Sequence, residues 1–261
     1  MLPIVLAAMI GTASPAEAYA NALAVMTALP QPASMKFAAG VTAQGVGIRL
    51  GNDSKRAVFE AGFGSGFKNA ASWRAELRTS DNTATVRDER GTVLDVRSPL
   101  FKPVWRSAYE WAQYGLHGRP PEPVAAPTAA PVADGDDNVI GRVIALKPSA
   151  YRIEDGVAED CPNAAPGRHL HLIAVRLPQK YPLTDVVVER ETQRICMMRF
   201  NLGESGALSL TGSFQLDFGE ASGYWVIKTD TAHLLFRIFG MGTKHADVKF
   251  VYDDITFPTG A

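Results

Sequence analysis

The segment from Leu208 to Phe218 alternates. Leu208, Leu210, Phe214, Leu216 and Phe218 share one parity, while Ser209, Thr211, Ser213, Gln215 and Asp217 share the other. Strand side chains point to opposite faces in turn, whereas a helix repeats about every 3.6 residues, so this run reads as a strand with one apolar and one solvated face. Such a strand cannot shield its apolar side alone. It needs paired neighbours and a cover. The C-terminal half supplies the neighbours: "NVIGRVIAL", "RHLHLIAVRL", "TDVVVER", "RICMMRFNL", "GYWVIKTDTAHLLFRIFGMG" and "KHADVKFVYDDITF" are rich in β-branched and aromatic residues, and "RETQ" forms the turn between the third and fourth.

The N-terminal part adds strands and two helices. Tyr19, Leu23, Met26 and Leu29 form one helical stripe, ended by Pro30 and Pro32. Strands follow in "ASMKFAAGVTAQGVGIRLGN", with a turn at Gly51-Asn52-Asp53, and in "RAVFEAGF". In "SWRAELRT", Trp73, Ala75 and Leu77 face one way and Arg74, Glu76 and Arg78 the other; "ATVRDERGTVLDVRSP" is a hairpin around Glu89-Arg90-Gly91. The period then changes. Trp105, Tyr109, Ala112 and Leu116 recur at helical spacing between Pro103 and Gly118. "PPEPVAAPTAAPVADGDD" has no aromatics and little to bury, so residues 120–137 read as a flexible insertion. Many strands in sequence with only two helices predict an α+β fold: a mainly antiparallel sheet that curls, its helices covering the concave face.

The first residues, "MLPIVLAAMIGTASPAEA", read as a secretory signal. The apolar run is too short for a membrane helix, and Ala16-Glu17-Ala18 is a small-x-small cleavage site, so the mature chain is expected to begin at Tyr19 and to form one domain over 19–258. A periplasmic or secreted location follows, with no transmembrane span in the mature protein. The two cysteines, Cys161 and Cys196, suit an oxidising compartment and suggest a disulfide. Lys plus Arg number 26 against 27 for Asp plus Glu, which argues against a nucleic-acid partner.

Catalytic signatures fail one by one. His169 and His171 share a strand face, and His245 and Asp247 have the same spacing, but without a third clustered ligand set the residues read as cross-strand or solvent-facing polar groups. Ser65 in "GFGSGF" has Phe63 and Phe67 where a nucleophile elbow needs glycines. Asp253 and Asp254 fall on opposite faces, and the glycines of "QGVGIRLGN" precede no helix. No enzyme, no metal site and no cofactor is expected.

The opening helix "AEAYANALAVM", the strand "MKFAAGVTAQGVGIRL", the run "HLHLIAVR…YPLTDVVVERETQRICMMRF" and the ending "GYWVIKTDTAHLLF…HADVKFVYDDITFP" together resemble the LolA-type family of periplasmic lipoprotein carriers and its lipid-binding relatives. The resemblance spans most of 19–119 and 139–258 and lies in the order of elements. It implies an incomplete β-barrel closed by helices over an apolar cavity, and a ligand such as a lipid or an acylated protein. Phe37, Trp73, Trp105, Tyr109, Phe214, Leu216, Phe218 and Phe236 are the candidate lining residues, with the helix from Pro103 to Leu116 as a lid. The competing expectation is an envelope interaction or scaffold protein with a solid core and a protein partner.

Overall fold

A computed structural model describes residues 13–30, 32–45, 48–53, 56–61, 70–78, 83–94, 148–175, 183–202, 209–238 and 242–258. The helix expected over 103–116, with Trp105 and Tyr109, lies outside these residues, as do the insertion at 120–137 and the strand expected in "NVIGRVIAL".

One α-helix is described, α1 (Pro15–Ala28). Its start follows from local chemistry. Ser14 caps it by accepting from the Glu17 amide, the Glu17 carboxylate accepts in return from the Ser14 backbone N–H, and Pro15 sits where its missing N–H costs nothing. The buried stripe is Ala18, Tyr19, Ala22 and Met26; Leu23 is only partly buried, and Leu29, expected on the stripe, is instead the extended C-cap. The expected cleavage point after Ala18 falls inside this helix.

The strands, in chain order, are β1 (Ser34–Gly45), β2 (Ile48–Asp53), β3 (Arg56–Ala61), β4 (Ala70–Arg78), β5 (Thr83–Arg87), β6 (Val93–Leu94), β7 (Tyr151–Asp155), β8 (Gly167–Ala174), β9 (Leu183–Glu189), β10 (Ile195–Leu202), β11 (Ser209–Ala221), β12 (Tyr224–Ile238) and β13 (Gly242–Thr256). Eleven of them form a single sheet in the order β6-β5-β4-β1-β13-β12-β11-β10-β9-β8-β7, and β2 pairs with β3 separately. Among the described residues every ladder is antiparallel. The sheet is open: among the described residues β6 and β7 each pair on one side only, so it is not a closed barrel.

Two details correct the sequence reading. "MKFAAGVTAQGVGIRL" holds two strands, with β1 ending at Gly45 and β2 belonging to a separate hairpin. That hairpin keeps its ladder to Asp53↔Arg56, past the turn expected at Gly51-Asn52-Asp53. The β5–β6 turn does fall at Glu89-Arg90-Gly91: Asp88 Oδ1 accepts from the Arg90 and Thr92 amides, and Gly91 takes φ +81°.

The sheet's apolar face carries the core. α1 packs against β7 and β10 at one end of it. On the opposite face of that end lies the loop 156–166, tied by the Cys161–Cys196 disulfide (S–S 2.08 Å) to β10. Gly167 lets the loop lie this close, since a Cβ there would stand 2.3 Å from the Glu159 carbonyl oxygen.

Candidate functional site

Strand register sets the two faces. One transverse row of cross-strand partners reads Leu170, Val186, Met198, Leu216, Asp230, Phe250, Val41, from β8 through β13 to β1. All seven side chains are buried. Six are hydrocarbon or thioether, and the seventh is a carboxyl. Asp230 is 1% exposed and is the one buried charged residue among those described.

Tyr252 lies on the same face, two residues along β13 from Phe250, with Ala39 as its partner on β1. Trp73 on β4 pairs with that Ala39, and Phe37 meets the Tyr252 ring edge to face at 5.7 Å between centroids. Neither carboxyl oxygen of Asp230 has a hydrogen-bond partner, and neither does the Tyr252 hydroxyl. Burial pushes the Asp230 carboxyl well above the usual carboxylate range, and the Asp217 charge adds to the effect. Burial, helped by Asp230, likewise raises the Tyr252 phenol. The hydrocarbon surroundings therefore favour the protonated, uncharged form of Asp230. Such orphaned groups are rare, because leaving one unpaired costs about 1–3 kcal/mol.

The other face is a connected polar surface. Its matching row runs Glu154, His171, Asp185, Arg199, Gln215, Thr231, Lys249, Thr42. His169 Nε2 and His171 Nδ1 both meet Asp185 Oδ1, at 2.8 and 3.0 Å. Arg199 forks onto Glu159 of the loop and donates through Nε to Gln215 at 2.8 Å; Gln215 in turn donates to Asp217. Burial pulls the Asp185 carboxyl upward, but hydrogen bonds from His171, His169 and Thr184 outweigh it and hold the group below its ordinary value. Asp185, Arg199, Gln215 and Asp217 are each hydrogen-bonded to a neighbouring side chain. The arrangement anchors the loop.

The histidine pair and the His245/Asp247 pair do not meet. They stand on β8 and β13, five strand positions apart, or roughly 24 Å across a flat sheet. Asp247 bonds His233 at 2.7 Å instead. Among the described residues no group of three or more His, Cys, Asp or Glu is placed to hold a metal ion.

Of the expected lining residues, Phe37, Trp73, Leu216 and Phe218 are buried, and Phe214 is partly buried against Phe200. Register places all five on the apolar face. Phe236 lies on β12, opposite Leu210 and Lys244. The residues the sequence reading missed are Asp230 and Tyr252. A signal exists: Asp230 shares its parity with Ala232 and Leu234, and Tyr252 shares its parity with Val248 and Phe250.

No protein-family model matches the chain, and no curated protein sequence matches it. Two solved structures are similar. A DUF1329 family protein from Desulfovibrio piger has 9% identity and a TM-score of 0.36, covering 95% of this chain and 95% of its own. A domain from Vibrio parahaemolyticus named for outer membrane lipoprotein sorting has 11% identity and a TM-score of 0.34, covering 93% of this chain and 94% of its own.

Proposed function

We propose that this chain is a non-enzymatic carrier or binding protein of the periplasm or extracellular space that shelters an acyl chain or another apolar ligand against the apolar face of its sheet. The observation that carries the reading is the transverse row from Leu170 to Val41, a buried band, apolar but for Asp230, running across seven strands of a sheet that stays open. An open sheet can part from its cover without breaking a ladder, and an apolar ligand needs no more than a dry surface and a lid. The disulfide fits an exported protein, and no described helix is long and apolar enough to cross a membrane.

Extraction of the natively purified protein with chloroform and methanol, followed by mass spectrometry, tests this directly. Lipid recovered in stoichiometric amount is the expected result. A clean extract, together with no uptake of a radiolabelled acyl probe, would leave the filled-core envelope scaffold as the better account.

A further inference from the structure

We propose that Asp230 and Tyr252 form a polar anchor within the apolar face, and that they select a ligand with an uncharged, hydrogen-bonding head, of which an acyl ester is the type. This rests on the carrier reading and narrows it. The argument begins with three orphaned oxygens. Both Asp230 carboxyl oxygens and the Tyr252 hydroxyl are buried without partners, whereas on the opposite face Asp185, Arg199 and Gln215 are hydrogen-bonded to neighbouring side chains. Their surroundings are Leu216, Phe250 and Phe37, none of which can donate or accept through its side chain.

Geometry sets the size of the head. Asp230 and Tyr252 occupy diagonal positions on neighbouring strands, roughly 7–8 Å between backbones, and their side chains rise from the same face. One small group with two acceptor oxygens, such as an ester, spans that interval. A neutral carboxyl and a phenol each offer an O–H, so together they match two acceptors. Charge argues the same way. An ammonium head would require the Asp230 anion, with both ions stripped of water in hydrocarbon and Asp217 already opposing the anion. An uncharged ester sheds water at far smaller cost. Its acyl tail then lies along the row toward Leu216, Met198 and Leu170.

The test uses the full chain, with radiolabelled 1-monooleoylglycerol, oleylamine and hexadecane as probes in equilibrium gel filtration, and a thermal melt of each variant as a folding control. The wild type is expected to prefer monooleoylglycerol over both other probes. Asp230→Leu should melt no lower than the wild type yet bind monooleoylglycerol about tenfold more weakly, because it leaves the ester unpaired. Tyr252→Phe, which keeps the ring, should lose several-fold, and Asp230→Asn, which keeps a donor, should stay close to the wild type. Unchanged affinity in both Asp230→Leu and Tyr252→Phe overturns the anchor while leaving the carrier intact. Preference for oleylamine overturns the uncharged head. A wild type that binds none of the three probes ends the carrier reading and the anchor with it.

Discussion

Asp230 and Asp185 are both carboxyls on strands of one sheet, and their surroundings drive them in opposite directions. Asp230 holds its proton more tightly folded than unfolded. The folded state therefore binds the extra proton above the ordinary carboxylate value of about 3.9, and stability falls as pH rises through that window. Asp230→Asn has no proton to lose. Its melting temperature should gain on the wild type steadily from about pH 4 upward, and a difference that stays flat over that range would show that Asp230 does not titrate as a buried acid. Asp185 has the opposite sign. Its carboxyl is held below the ordinary value by His171, His169 and Thr184 against the pull of burial. That stabilisation is complete above the unfolded value and disappears as pH falls through the folded one. In Asp185→Asn the deficit relative to wild type should be full near neutrality and shrink in acid, as read from urea midpoints at a series of pH values.

At the scale of elements, two devices hold irregular chain to the sheet at its β7–β10 end. The first is the 156–166 loop, fixed by Cys161–Cys196, by the Glu159–Arg199 fork and by the close passage over Gly167. Chain-entropy arithmetic for a bridge separated by 35 residues puts the effect of the disulfide at about 4 kcal/mol. Replacing both cysteines by alanine should lower stability by about 2–4 kcal/mol, with amide exchange rising in the loop and at β10 before the rest of the sheet. The second device is the cap of α1. Ser14 and Glu17 bond reciprocally, and Arg168 Nη1 donates to the Ala13 carbonyl at 2.9 Å. Ser14→Ala should cost the unprocessed chain about 1 kcal/mol. The same substitution is silent in exported protein if processing leaves Tyr19 as the first residue, because the cap is then gone. Comparing the two melts alongside N-terminal sequencing decides whether the functional helix keeps its first turn.

At the scale of the molecule, the sequence is legible in face and blind in neighbour. Alternation in "SWRAELRT" places Trp73 and Ala75 inside and Arg74, Glu76 and Arg78 outside, as the structure has them. It cannot say that β1 pairs with β13, the first strand with the last, because that ladder is settled by closure of the whole chain and by no local pattern. Asp230 escapes notice for a related reason. In "KTDT" both parities are polar, so the period fades where the buried acid sits and returns only at Ala232 and Leu234. A buried acid in a long apolar band then bears on what fills the space above it. A solid core and a carrier differ in how they respond to a hole. Leu216 is fully buried next to Asp230 in the row, and Leu216→Ala should cost about 2–5 kcal/mol in free protein on either account. Ligand separates the two. If an acyl chain lies on this face, monooleoylglycerol at about a hundred times its dissociation constant adds about 2.7 kcal/mol to the wild type by mass action. It should add at least as much to Leu216→Ala, whose hole the chain can occupy. Equal melting temperatures with and without lipid, in both proteins, would mean that the face is filled by the chain's own side chains and that the sheet carries nothing.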